Sequence, residues 1–265
     1  MVSTHVATLM ASLFAAAVSA QAPAPPPVDP ALPEQLKTLK DMVADPKMLL
    51  DFQAIGLMQK LAQGADQKNP KDRERIAKAI GDVFKTGKLR GADKDILYRE
   101  AGEALAKLGA DGGKELQKAL TDARFKDALP LQAQLLLALG RTQDERQVDW
   151  LLETAVRSPH DEIRAAAGEA LGSFTSLDVK VRRDVVKGLL REWGSLHSLA
   201  TQRDNNDPNA PLDMGPQNAR RTLKAVEGKW NDTVKKMTGL SHSTFEDWQR
   251  WLNKNPNWTP AGSGK

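Results

Sequence analysis

The stretch DEIRAAAGEALGSF, residues 161–174, decides the fold that the sequence predicts. Its apolar residues recur every three or four positions, which is the spacing of one face of an α-helix. Small residues stand near its middle, at Ala167 and Gly168, where they let a second helix approach closely. The stretch therefore predicts a helix that packs against neighbouring helices.

Two other segments superimpose on this helix without gaps, and they indicate an internal repeat. They are LYREAGEALAKLG (97–109) and LPLQAQLLLALGR (129–141), and the alignment places Ala104, Leu135 and Ala170 in one column. A pair of helices with its two turns takes about the length that separates these columns. We expect the partner helices at about 111–121, 143–157 and 178–199. The repeat thus predicts stacked helical pairs.

The rest of the chain beyond Glu34 also has helical patterns, and the predicted fold class is all-α. Helix starts are indicated by Asp45-Pro46, Asn69-Pro70 and Gly215-Pro216, and Ser243 to Glu246 fits a capping box. Apolar stripes at helical spacing are Leu50, Ala54, Leu57 and Leu61; Ile76, Ile80 and Val83; and Val181, Val185, Leu189, Trp193 and Leu196. Each stripe predicts a helix with one buried face.

The repeated helices resemble the second helix of HEAT repeats, especially the short variety also found in bilin lyases. The resemblance covers roughly residues 70–200 and rests on Asp161, Ile163, Arg164, Ala167, Ala170 and Leu171, with a weaker match at Asp95 and Arg99. It implies an α-solenoid of about four to five stacked pairs whose second helices line a concave face. It implies no activity, because function does not follow from fold alone.

The amino-terminal region is similar to a secretory signal. Residues 6–18 are uncharged and apolar or small, and Val18-Ser19-Ala20 offers a cleavage site. We therefore predict a signal peptide over 1–20 and an exported, periplasmic or extracellular protein. A proline-rich, disordered linker is expected over 21–33, because proline fixes φ and removes backbone donors.

The domain organisation predicted for the rest of the chain has two parts. A helical repeat domain extends over 34–242, with a polar loop insertion at 201–215, and a capping helix and tail occupy 243–265. The sequence MTGLSHSTFEDWQRWLNKNPNW in the second part resembles the tail of exported bacterial HEAT-repeat proteins. Trp248 and Trp251 share one helical face there and are expected to close the end of the array. Trp258 is the best candidate for a tryptophan that is not part of this cap and stacks on a ligand instead.

Several classes of chemistry are excluded or disfavoured by composition. The chain has no cysteine, so disulfides, thiolate zinc sites and cysteine nucleophiles are impossible. His160, His197 and His242 are too far apart for a zinc motif, and the loop DNNDPN (204–209) does not match a calcium loop. No nucleophile, base and orienting group can be nominated together. We expect no cofactor, no metal site and no enzymatic activity.

The net charge is +4, and cations gather toward the carboxyl end. A basic patch at Arg220, Arg221 and Lys224 suggests an alternative function, namely binding of an anionic envelope polymer or a membrane surface. Nucleic acid is not an expected partner of an exported chain. A solvated helix face is the simpler interpretation of these cations.

The first hypothesis is a scaffold that binds another protein through its concave face. Glu103, Gln134 and Glu169 precede the buried column in the three repeated helices, and Arg99 and Lys107 lie one turn away from Glu103. Equivalent positions of a solenoid lie side by side, so these five residues are expected to form a polar ridge. The alternative is that they are only the solvated side of amphipathic helices.

Overall fold

The computed structural model describes residues 26–174, 176–202 and 214–260. Within these ranges the chain is 72% helical and has no strand, so the all-α prediction is confirmed there. Eleven α-helices occupy the described residues: α1 (Leu32–Val43), α2 (Asp51–Ala62), α3 (Pro70–Gly81), α4 (Ile96–Ala106), α5 (Ala110–Leu120), α6 (Leu129–Arg141), α7 (Val148–Arg157), α8 (Asp161–Leu171), α9 (Val179–Ala200), α10 (Gly215–Thr238) and α11 (Phe245–Lys254).

The three repeated segments form α4, α6 and α8, and the expected partner helices between them are α5, α7 and α9. The column residues Ala104, Leu135 and Ala170 are all buried. The helices pack in two rows. In the front row α2, α4, α6, α8 and α10 contact one another in that order, and in the back row α1 packs on α3, α3 on α5, and α7 on α9.

Glycines allow the front-row helices to approach one another closely. A Cβ atom on Gly102 of α4 would lie 2.6 Å from Leu135 of α6. A Cβ on Gly140 of α6 would lie 2.5 Å from the backbone of Ala170. These distances are too short for a real side chain, so alanine at Gly140 would clash with backbone, and alanine at Gly102 would force the buried Leu135 side chain to move.

The described part of the proline-rich segment contacts the helical domain. The amide of Asn69 donates to the carbonyl of Pro26 at 2.7 Å, and the backbone N–H of Asp29 donates to Asp72 at 2.7 Å. Helix α1 begins at Leu32, two residues before the boundary expected from the sequence. The predicted signal peptide and the first part of the linker, within residues 1–25, lie outside the described residues.

Three local predictions were wrong. Asp45-Pro46 does not start a helix, because Asp45 instead accepts hydrogen bonds from the N–H groups of Lys47 and Leu49 in a turn. Leu50 precedes α2 and is 37% exposed, because Asp51 takes the buried position to pair with a buried arginine. The cap of α11 is Thr244, whose hydroxyl accepts from the N–H of Asp247, and not Ser243.

The carboxyl-terminal residues pack against α9 and α10. Trp248 is fully buried, and its indole donates to Asn231 of α10 at 2.7 Å. Trp258 is only 6% exposed, so the expectation of a free stacking platform at this position was wrong. The chain after α11 folds back across α9, where Arg183 donates to the carbonyls of Asn257 and Trp258 at 2.7 and 2.5 Å.

Candidate interaction surface

The predicted ridge lies on the outward side of the front row. Glu103 and Gln134 are exposed, Glu169 is half-buried, and the next residue in each helix is buried. This alternation follows from the helical period, which turns adjacent residues by about 100°. The three residues therefore occupy equivalent positions on α4, α6 and α8.

Both ridge carboxylates are paired with cations from the next helix of the front row. Glu103 of α4 accepts from Arg141 of α6, and Glu169 of α8 lies 2.8 Å from the ammonium of Lys229 of α10. These pairs are partly exposed, so each contributes at most about 1 kcal/mol to stability. The ridge therefore presents charges of both signs, and the sequence alone did not identify the cations that pair with its carboxylates.

The other three ridge residues have different environments. Arg99 pairs at 2.5 Å with Asp95, the residue that precedes α4. Lys107 lines an open cavity of about 860 Å³ between α2 and α4, together with Gln59 and Lys60. The side chain of Gln134 makes no hydrogen bond with any residue that the structure describes. The ridge is therefore polar along its length, with few unpaired charges.

Residues of the repeat motif in α8 hold the adjacent helices. Asp161 accepts from Arg221 at 2.7 Å and from Thr222 at 2.6 Å, both on α10. Arg164 is buried, pairs with Glu192 of α9 at 2.6 Å, and stacks over the ring of Trp230 at 5.7 Å. The motif that led to the repeat assignment thus serves packing between helices.

The predicted basic patch is largely engaged in the fold. Arg220 donates to the carbonyls of Ala200 and Gln202 at 2.9 and 3.0 Å, and Arg221 pairs with Asp161. Lys224 remains exposed and has no hydrogen-bond partner in the described parts of the chain. Because both guanidinium groups bind within the molecule, the patch offers less free charge than its sequence suggests.

Sequence reasoning missed a buried ion pair near the amino-terminal end. Arg90 is 4% exposed and pairs with Asp51 at 2.7 Å. Its hydrogen bond with Asp51 raises the pKa of Arg90, so the guanidinium stays charged. An arginine in the basic loop KTGKLRG gives no sequence signal for burial, because its partner is 39 residues away.

Metal ligands do not gather in the described ranges. No group of three or more His, Asp or Glu side chains there could hold a metal ion. The loop DNNDPN falls among residues 203–213, outside the described residues. No described helix is long and apolar enough to cross a membrane.

Comparisons with known proteins add no relative. No family model, no curated protein and no solved structure matches this chain. The likeness to HEAT repeats thus rests on the residues quoted above.

Proposed function

We propose that this chain is an exported α-solenoid of HEAT-like helical pairs that acts as a non-enzymatic scaffold and binds another protein along the ridge. One observation carries the proposal. Glu103 and Glu169 stand at equivalent positions of α4 and α8, and each pairs with a cation from the next front-row helix. Regular stacking of this kind creates an extended face, which is the usual binding surface of solenoid proteins.

The distribution of charge favours a protein over an anionic polymer. The ridge carries Glu103 beside Arg141 and Glu169 beside Lys229, so both signs alternate along it. Protein surfaces carry both signs and can match such a pattern, whereas a polyanion needs an excess of cations. The engagement of Arg220 and Arg221 further weakens the alternative of a polymer-binding patch.

The carboxyl-terminal helix is proposed to cap the array. Terminal repeats of stacked proteins need a cover for their apolar side. Phe245 of α11 lies 5.9 Å from the ring of Trp193, and Trp248 is buried beside α10. These contacts support the proposal of a tryptophan-rich cap over the apolar side of α9 and α10.

Charge exchange on the ridge tests the binding proposal without removing an ion pair. The double variant Glu103→Arg/Arg141→Glu keeps opposite charges in contact and reverses their order. Because the pair is largely exposed, its exchange should change stability by less than about 0.5 kcal/mol. Capture of the native partner from an envelope extract should fall at least tenfold, measured by pull-down with the tagged chain.

The matched control exchanges a pair on the back row. Glu153 and Arg157 of α7 are exposed and bonded at 3.2 Å, so Glu153→Arg/Arg157→Glu makes the same change away from the ridge. Its capture should equal that of the wild type. Equal capture by the folded ridge variant would refute the proposed binding face.

Export is tested separately by mass spectrometry of the native protein. Cleavage after Ala20 should leave Gln21 at the amino terminus. An intact Met1 on protein from the cell envelope would contradict the proposed processing.

A further inference from the structure

Exposed apolar side chains cluster where the amino-terminal end of α2 meets the loop before α4. Phe52 is 79% exposed, Leu49 is 72%, Leu89 is 45% and Leu50 is 37%. Isolated exposed apolar residues are common, but a cluster of large ones marks an interaction site. We call these four residues the apolar tip.

The buried ion pair holds the two segments of the apolar tip together. Asp51 lies between Leu50 and Phe52, and Arg90 follows Leu89. The two side chains bond through two contacts, at 2.7 and 3.1 Å, and Arg90 also donates to the carbonyl of Val43 at 2.9 Å. A bidentate pair of this kind fixes the geometry of the segments that carry it.

The loop that carries Leu49 is fixed by its own hydrogen bonds. The Asp45 carboxylate accepts from the N–H of Leu49 at 2.8 Å and from that of Lys47 at 3.1 Å. Met48 between them has a φ of 57°, a left-handed conformation that residues other than glycine rarely adopt. Retained strain of this kind is associated with functional segments. The loop therefore presents Leu49 to solvent in a defined position.

Lysines flank the apolar tip. Lys47, Lys88 and Lys94 are exposed, and they come from the same two segments as the tip residues. Asp93 and Asp45 are the acids beside these three lysines, and the hydrogen bonds from the N–H groups of Lys47 and Leu49 lower the pKa of Asp45 and keep it negatively charged. Cations therefore exceed anions around the tip.

The shape of the apolar tip distinguishes between possible partners. Side chains that are 72% and 79% exposed protrude from the surface, because residues that line a groove lose more of their area. A protruding apolar group surrounded by lysines matches the interface of an anionic bilayer. The apolar side chains enter the acyl boundary there, and the ammonium groups stay among the lipid phosphates.

We propose that the apolar tip docks this protein on an anionic membrane surface, with Leu49 and Phe52 inserted and Lys47 and Lys88 among the headgroups. This surface is separate from the ridge and from the basic patch of α10. A membrane test therefore has an outcome that does not depend on partner binding at the ridge.

Position-specific labelling tests insertion directly. The chain has no cysteine, so Leu49→Cys or Phe52→Cys gives one site for an environment-sensitive fluorophore on the full chain. Vesicles of phosphatidylcholine with about one third phosphatidylglycerol should shift the emission to the blue, and spin-labelled lipids should quench it. A label at Lys114→Cys, on an exposed position of α5, should not respond. Circular dichroism verifies that each labelled chain is folded.

Removal of the lysines tests the electrostatic contribution to membrane binding. The variant Lys47→Gln/Lys88→Gln should lower the partition onto these vesicles about 25-fold, since each lysine near an anionic surface contributes about fivefold. The control Lys114→Gln/Lys236→Gln removes the same charge from α5 and α10 and should bind like the wild type. Added salt should weaken binding by the wild type more than by the Lys47/Lys88 variant.

Three results would overturn the proposal. If labels at positions 49 and 52 remain in water while the chain binds vesicles, the apolar run at 6–18 or another surface holds the chain on the lipid. Equal insertion into vesicles of pure phosphatidylcholine would show that the apolar tip does not require anionic lipid. A blue shift that rises with protein concentration in the absence of lipid would identify a second copy of the chain as the occupant.

Discussion

At the scale of single residues, the guanidinium of Arg90 shows how this fold tolerates a buried charge. Its donors reach both oxygens of Asp51, the carbonyl of Val43 and the carbonyl of Lys88, all within 3.1 Å. Desolvation of a charge is costly, and only full hydrogen bonding with an opposite charge offsets it. The pair thus joins the end of α1, the start of α2 and the loop before α4.

Removal of Asp51 should therefore destabilise the protein strongly. Asp51→Ala leaves Arg90 charged and buried without its counterion, and we expect a loss of about 3–5 kcal/mol in the free energy of unfolding. Urea denaturation measures it. The control is Asp111→Ala, which breaks a pair with Arg73 in which both side chains are 32% exposed, and it should cost less than about 1 kcal/mol.

A double replacement distinguishes the ion pair from simple packing. In Asp51→Leu/Arg90→Met no charge is left unpaired, so this variant should be more stable than Asp51→Ala. If the double variant is the less stable of the two, the shape of the side chains rather than charge compensation dominates at this site.

The pair of Asp144 and Arg146 should make stability depend on pH. Burial raises the pKa of Asp144, but hydrogen bonds from Arg146 and Gln147 outweigh this effect and hold the pKa below the ordinary value of an aspartate. A depressed carboxyl pKa adds stability above about pH 4, and this contribution is lost as the pH falls through the folded-state pKa. Arg146→Ala should thus be less stable than the wild type at pH 7, with a difference that shrinks in acid.

Urea midpoints measured between about pH 3 and pH 7 check this expectation. Arg157→Ala is the matched control, because Arg157 is 76% exposed against 66% for Arg146, but it bonds to Glu153, which is itself 61% exposed. Its difference from the wild type should stay small at every pH. A difference for Arg146→Ala that grows in acid would contradict a lowered pKa of Asp144 in the folded protein.

At the scale of helices, the contact between α8 and α10 depends on a missing side chain. A Cβ on Gly168 would lie 2.2 Å from the indole of Trp230, which is fully buried and cannot retreat into solvent. In contrast, a Cβ on Gly228, in the middle of α10, would meet no heavy atom within 4 Å. Alanine is therefore excluded at Gly168 by the indole of Trp230, whereas it has room at Gly228.

Alanine at these two positions should shift stability in opposite directions. Gly168→Ala should cost about 1–3 kcal/mol through overpacking, whereas Gly228→Ala should stabilise by up to about 1 kcal/mol through helix propensity. Thermal melting of both variants measures the difference. If Gly168→Ala melts with or above the wild type, α8 and α10 are not packed as closely as described.

The sequence predicted the helices better than the contacts between them. Periodicity predicted α4, α6 and α8 correctly, because the apolar spacing that indicates a helix is contained within the helix's own residues. The cations that pair with Glu103 and Glu169 were not predictable, since Arg141 and Lys229 meet them only through the stacking register of the front row. The stripe that included Leu50 was wrong at its first member because the partner of Asp51 lies in another loop.

At the scale of the whole molecule, the two ends of the array differ. The end near α1 and α2 leaves Leu49 and Phe52 in solvent. The end near α9 and α10 is covered, because Phe245 packs beside Gly194 and residues 255–260 return across α9. In the proposed solenoid, one open apolar end and one covered end would give the array a direction, which orients the ridge relative to the proposed membrane contact.

The contacts of the carboxyl-terminal residues with α9 and α10 should contribute strongly to stability. Truncation before Ser243 removes Phe245, Trp248 and Trp258, and so uncovers Trp193 and the neighbouring face of α10. Loss of such buried aromatic groups costs about 3–5 kcal/mol each when they are replaced by alanine, so we expect a clear fall in melting temperature and aggregation on size-exclusion chromatography. A chain that lacks only residues 261–265 is the control and should behave like the full chain. Trp248→Ala in the full chain should reproduce part of the effect, because its indole is buried and bonded to Asn231. A truncated chain that stays monomeric and equally stable would show that the last 23 residues do not cap the array but form an appendage with another role.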